Sequence, residues 1–335
     1  GSPELTLTIM FAYLCIPQML FYGLHTLMGQ ILAAHHRFAA FSWSPALANV
    51  VNIIGILAFI RLYPDAAELP VEEWTSGMIW LLAGSATLGI VLQALVLVPA
   101  VRAAGFRWRF RWGFRGVGLG TASVMAGWAL ADVALSQTGM ITATNLLNSA
   151  VREVPDAPGK MAYDYAFSIF ILPHSLIALS LLTAIYPVLS KAAAADDRRG
   201  MAAQTARGLR LLGTAMVPLA LGMVLLAPLL AQVLYPSSSP EESRAVGVIL
   251  VALTLGLVPY GIYLLCARVF YSFEDARTPF LFQLAITTIL LTVCVVAFWA
   301  APGRVAVLIA LGQALGQTTA AVLGHPSKEA VAADR

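Results

Sequence analysis

Predominantly apolar residues recur in nine stretches, near positions 5–34, 45–63, 76–101, 117–150, 161–190, 209–235, 245–272, 279–300 and 304–324, with short polar connectors between them. A helix rising 1.5 Å per residue needs roughly 20 residues to cross a hydrocarbon core, so each stretch predicts a spanning helix. The longer ones predict tilt, bends or ends that project beyond the bilayer. A soluble helical protein needs a polar outer face on its helices, and the run from 247 to 265 offers almost none. The fold class is therefore an all-α polytopic membrane protein with about nine transmembrane helices. Pro17, Pro173, Pro187, Pro218, Pro228 and Pro259 fall inside the stretches, where each removes a backbone donor and favours a bend.

Composition agrees: 59% of the 335 residues are hydrophobic and 11% are charged, against about 25% charged in an ordinary soluble domain. The formal net charge of +3 gives no support to nucleic acid as a partner. The placement of charge is more informative. The connector "VRAAGFRWRFRWGFRG" holds five arginines and no acid, whereas "YPDAAELPVEEW" holds four acids and no base. The positive-inside rule puts the arginine connector in the cytoplasm. Alternation then puts "AAHHRFAAF", "SKAAAADDRRG" and "RVFYSFEDARTP" on the same side, and "REVPDAPGK", "YPSSSPEES" and "APGR" on the other. The arginines between 102 and 115 read as topology determinants that also meet anionic lipid headgroups.

An internal repeat organises the chain. Aligning Pro45 with Pro279 sets "ILAAHHRFAAFSWSPALANVVNIIGI" beside "LCARVFYSFEDARTPFLFQLAITTIL". Each would run helix, basic and aromatic cluster, short loop, Pro in a first helical turn, helix. Both copies fall on the cytoplasmic side, as expected of parallel repeats about an axis along the membrane normal. The division that follows is residues 1–115 as the C-terminal half of a first helical lobe, 116–324 as a second six-helix lobe, and 325–335 as a polar tail. The first part has three spans and the second six, so three spans are expected before residue 1 and the chain reads as a fragment.

No motif points to an enzyme: there is no phosphate loop, no His-Glu-x-x-His and no Gly-x-Ser-x-Gly elbow. Cys15, Cys266 and Cys294 lie in apolar runs without ligand spacing, so neither a metal site nor a disulfide is expected. What stands out is polarity inside spans. In "LADVALSQTGMITATNLLNSAVRE", Gln137, Thr144, Asn148 and Arg152 fall within roughly 80° of one another at 100° per residue. Asn145 flanks this stripe, and Asp132 lies deeper on a neighbouring face. In the next span Asp164, Ser168 and Ser175 share a face, with His174 beside them. An ionisable group costs roughly 2.5–3.5 kcal/mol at the centre of a spanning helix. Such groups face a hydrated cavity, or bond between helices and snorkel to the interface. Arg37, Arg268, Asp275 and Arg277 are candidate cytoplasmic gate or hinge residues, with Glu274 and Asp275 placed to pair with the arginines of their loop.

"LAAHHRFAAFSWSPALANVVNI", "YAFSIFILPHSLIALSLLTAIYPVLSKAAAADD" and "RVFYSFEDARTP" resemble successive landmarks of the MurJ/MviN family, bacterial lipid II flippases of the multidrug/oligosaccharidyl-lipid/polysaccharide exporter (MOP) superfamily. The resemblance spans about residues 10–324. It implies fourteen helices in two lobes arranged as a V, of which these nine would be the fourth to twelfth. The last two helices, absent here, would form a groove for the polyprenyl tail. It also implies a multi-pass protein of the bacterial cytoplasmic membrane. Such a protein moves undecaprenyl-linked peptidoglycan precursor outward by alternating access, driven by membrane potential or a coupling cation, without another cofactor. The implied partners are lipid II or a similar lipid-linked headgroup, membrane lipids and cell-wall synthesis proteins. Where many members carry a cavity-facing arginine this chain has Ser168, and Asp164, His174 or Arg152 would compensate. The alternatives are a related exporter of polysaccharide-lipids or drug cations, and a non-transporting scaffold of cell-wall assembly. The neutral stripe with one arginine weighs against drug cations.

Overall fold

A computed structural model describes residues 3–35, 37–66, 69–106 and 119–324. Among the described residues all regular structure is helical. Helices α1 (Pro3–Cys15), α2 (Gln18–Ala34), α3 (Phe38–Leu62), α4 (Ser76–Leu95) and α5 (Leu97–Ala103) belong to one compact unit. A second unit holds α6 (Leu119–Glu153), α7 (Lys160–Pro173), α8 (Leu179–Ala194), α9 (Arg198–Leu234), α10 (Pro240–Thr254), α11 (Leu257–Ser272), α12 (Arg277–Phe298) and α13 (Pro302–Gly324). The polar tail and Arg107, Arg109, Arg111 and Arg115 lie outside the described residues.

Seven segments are long and apolar enough to cross a membrane, and an eighth is the α10–α11 pair, bent by 42°. The expected ninth, α6, is helical over 35 residues but is not among them. Asp132, Gln137, Asn145, Asn148 and Arg152 are spread along its length, so it needs a hydrated or protein-lined face.

The breaks follow the chemistry of the backbone. At Pro17, which separates α1 from α2, the Leu14 carbonyl accepts from Thr87 Oγ1 at 2.8 Å, and Thr87 accepts from Gln18 Nε2 at 2.8 Å, so α4 supplies the polar partners. Pro45 does not start a helix: α3 begins at Phe38 and carries Pro45 in its interior, which corrects the loop–Pro–helix layout at the first copy of the repeat. Nothing in "FAAFSW" stops a helix. The N–H that Pro45 lacks would have served the Phe41 carbonyl four residues earlier. The Ser44 hydroxyl donates to that carbonyl instead, at 2.9 Å. With its proton so placed, Ser44 Oγ accepts from His25 Nε2 of α2 at 2.8 Å, and the imidazole stacks on Phe41 at 4.8 Å. In the second copy Pro279 does fall in the first turn of α12.

In the second unit, Phe170, Leu212, Met216, Leu250, Leu253 and Ile309 are fully buried and draw α7, α9, α10 and α13 into one core. A π-turn over His174–Ala178 follows Pro173 and joins α7 to α8. Gly256, at the α10–α11 bend, has no room for a side chain: a Cβ there would lie 2.2 Å from Gln317 Oε1 and 2.9 Å from the Ala314 Cα. The α11–α12 corner turns through Glu274 at φ 59°, with the Asp275 N–H donating to the Phe270 carbonyl at 3.1 Å.

Ser44→Ala leaves the Phe41 carbonyl and His25 without their shared partner inside the unit, and should cost about 1–3 kcal/mol in detergent-solubilised unfolding. In a Pro45→Ala background, where the backbone N–H is restored, the same substitution should cost less. Equal costs in the two backgrounds would contradict the account.

Candidate functional site

Between α6, α11, α12 and α13 the second unit encloses a cavity of about 400 Å³. Residues Asp132, Ser136, Met140, Ala143 and Leu147 of α6 line it. Their spacing of 4, 4, 3 and 4 residues makes a continuous helical stripe. Gln137 and Thr144 also line it, but from one edge. The cavity-facing arc of α6 is centred roughly 90° from the stripe expected from sequence, at 100° per residue. That rotation brings Asp132 in and leaves Asn148 and Arg152, both exposed, outside the lining.

The remaining polar lining comes from positions that carried no expectation. Tyr260 and Tyr263 of α11, Gln283 and Thr287 of α12, and Gln313 and Gln317 of α13 line the same space. Gln283 Nε2 donates to Thr287 Oγ1 at 3.1 Å. Gln317 is 2% exposed and its Oε1 has no hydrogen-bond partner. The spacings i, i+4 on α12 and α13 and i, i+3 on α11 were visible in the sequence. Singly placed glutamines and tyrosines are common in spanning helices, and it is their convergence that marks the site. Lys160 and Tyr163 of α7 complete the lining. The cavity thus holds one carboxylate, Asp132, and one ammonium, Lys160, among neutral donors and acceptors.

Asp164 forms an ion pair with Lys160 one helical turn away and is not itself part of the lining. Ser168 is exposed. His174 is 5% exposed and lies against the Tyr260 ring at 4.4 Å, with Nδ1 unpartnered; it backs the cavity wall without lining it. Asn145 belongs to a separate lateral groove of about 460 Å³ between α6 and α12, with Thr142, Ser149, Phe298 and Trp299. Of the expected set, then, Asp132, Gln137 and Thr144 converge, while Asn145, Asn148, Arg152, Asp164, Ser168 and His174 lie elsewhere. Of the two cations, Lys160 lines the cavity and Arg152 does not.

Among the gate candidates, Arg37 is exposed at the start of α3 and Arg277 is exposed in the first turn of α12. The Arg268 guanidinium lies over the Tyr186 ring at 5.3 Å. Asp275 pairs with neither arginine side chain. Its carboxylate accepts from the backbone N–H of Arg277 at 2.9 Å, from that of Thr278 at 3.1 Å and from Thr278 Oγ1 at 2.6 Å, which caps α12. A loop carboxylate two residues before a helix start satisfies otherwise orphaned donors, and that outweighs a solvent-screened ion pair.

Solved transporters share this architecture. "Lipid II flippase MurJ, inward closed conformation" superposes with a TM-score of 0.68 at 17% identity, covering 95% of this chain and 62% of that one. A Vibrio cholerae MATE transporter superposes at 0.71 with 13% identity, over 100% and 72% of the two chains. At these identities the likeness is one of fold, and it defines a helical transporter fold of the MOP type. The chain belongs to the MurJ family: the family model described as "Lipid II flippase MurJ" matches residues 2–325. Relatives named "Probable lipid II flippase MurJ" are 28% identical over 268 residues in Synechocystis sp. (79% of this chain, 49% of the relative) and 27% identical over 282 residues in Rhizobium meliloti (83% and 50%). The chain spans about half the length of the curated relatives it matches. It is a multi-pass protein of the bacterial cytoplasmic membrane.

In a chain stripped of Cys15, Cys266 and Cys294, Ser136→Cys and Gln313→Cys should react with a small water-soluble thiol reagent. Phe170→Cys, at a position 0% exposed, should not. Protection at position 136 equal to that at 170 would mean that the cavity is closed to water.

Proposed function

We propose that this chain is part of a flippase that moves undecaprenyl-linked peptidoglycan precursor, lipid II, from the inner to the outer leaflet by alternating access. The observation that carries this reading is the family match over residues 2–325. A diphosphate-sugar headgroup cannot cross roughly 30 Å of hydrocarbon unaided, so it needs a hydrated path with fixed polar partners while its tail stays in lipid. The polar cavity of the second unit is the kind of feature such a path is built from. No bond is made or broken, so the work is transport and not catalysis. In this reading membrane potential or a coupling cation supplies the energy, and cell-wall synthesis proteins receive the product.

One observation favours a second reading, export of an organic cation. Of the neutral stripe with one arginine that weighed against drug cations, Arg152 does not line the cavity, whereas Asp132, Tyr163, Tyr260 and Tyr263 do. A carboxylate with aromatic faces suits a cation. Depletion of the parent gene separates the readings. Loss of outer-leaflet precursor labelling supports lipid II flipping. Normal labelling with retained dye supports cation export, and normal labelling with normal dye efflux leaves the scaffold.

Lys160→Ala in the whole protein should lower outer-leaflet precursor by about tenfold or more, the loss of one charge-assisted contact worth about 1.5–3 kcal/mol. Arg152→Ala should stay within about twofold, in line with its position outside the cavity. The reverse ranking would restore Arg152 as the compensating cation.

A further inference from the structure

The arginine-rich start of α9 is used by neither the cavity nor the helix packing. α9 has 37 residues, about 55 Å of helix against roughly 30 Å of hydrocarbon. Its uncharged part, 211–234, is long enough to span on its own, so the first turns project from the side that the positive-inside rule makes cytoplasmic. Asp197 is occupied in capping the helix through the Gly200 N–H at 2.8 Å. Asp196 lies 3.9 Å from Arg198. Arg199, Arg207 and Arg210 are exposed and have no ion pair among the described residues.

These three arginines fall within roughly 80° of one another on the helix, opposite the buried face of Met201, Thr205, Gly208 and Leu212. The same arc continues along the span as Val217, Leu221 and Leu225, which are 44%, 60% and 80% exposed. One helix face therefore presents three guanidinium groups at headgroup level and, below them, an open apolar stripe at acyl-chain level. Neither of the two cavities is lined by α9, so nothing here encloses a large headgroup. The surface fits a lipid lying alongside the helix.

We infer that this face of α9 is a binding surface for anionic glycerophospholipid. The arginines would hold the phosphodiester by charge attraction and charge-assisted hydrogen bonds, and the acyl chains would lie on the stripe. A soluble acidic partner would be served by the arginines but would leave the stripe without a role. The inference is independent of what the transporter carries.

The test uses the full chain extracted from membranes and native mass spectrometry of lipid adducts, with phosphatidylglycerol, phosphatidylcholine and inorganic phosphate as probes. Phosphatidylglycerol should be retained over phosphatidylcholine, and inorganic phosphate, which cannot use the stripe, should not compete at equal concentration. A cation near a membrane surface contributes about fivefold, so Arg210→Gln should weaken the preference by about that factor. The triple variant R199Q/R207Q/R210Q should abolish it, and R199K/R207K/R210K, which keeps charge and topology, should retain most of it. Preference undiminished in the glutamine triple variant overturns the inference. So does a lysine triple variant that loses preference as fully as the glutamine one, or competition by phosphate alone.

Discussion

A polar group surrounded by hydrocarbon and left without a partner costs several kcal/mol, and the rest of this structure follows from where that cost falls. α6 is too polar to meet lipid all round. Its Asp132–Ser136–Met140–Leu147 face turns toward α11, α12 and α13, which answer with tyrosines and glutamines. The cavity is the place where the polar residues of five helices can be near one another and near water. The fully buried residues around Phe170, Leu253 and Ile309 hold the helices that frame it.

The same constraint governs the helix breaks. Where Pro45 removes a donor, Ser44 supplies one and His25 holds Ser44 in place. Where Pro17 interrupts the first span, Thr87 reaches across from α4. These nodes are satisfied, and they fix geometry in a medium that offers no water to substitute. Gln317 is the contrast. The residue lines the cavity, and its buried Oε1 has no partner and is wedged against Gly256, at the point where α10 and α11 part. An acceptor held open beside a bend and a hydrated space is poised to receive a hydrogen from water or a ligand.

Most of the fold was legible in the sequence because spanning helices announce themselves by length and by the absence of charge. The misreadings have local causes. Pro45 was read as a helix start because the side-chain rescue by Ser44 depends on the backbone geometry of one turn. The polar arc of α6 was centred on the polar letters themselves, whereas packing puts Met140, Ala143 and Leu147 in the lining and rotates the inward face by roughly 90°. Arg152 follows the stripe but lies beyond the cavity. Lys160 escaped notice because it begins a helix, where a lysine is ordinary. Asp275 was assigned to ion pairing from its neighbours, and the need of α12 for a cap decided otherwise. The resemblance to MurJ/MviN proteins, carried by three cytoplasmic and span motifs, anticipated the family that the whole chain matches.

The central claim is that the second unit contains a hydrated polar cavity within an apolar helical body. Hydroxyl-radical footprinting of the membrane-embedded protein addresses it directly, because radicals generated from bound water oxidise the side chains beside that water. Met140, Tyr260 and Tyr263, which line the cavity, should be modified well above Met216, which is 0% exposed in the core. Modification of the three no faster than that of Met216 would show a dry interior and contradict the account.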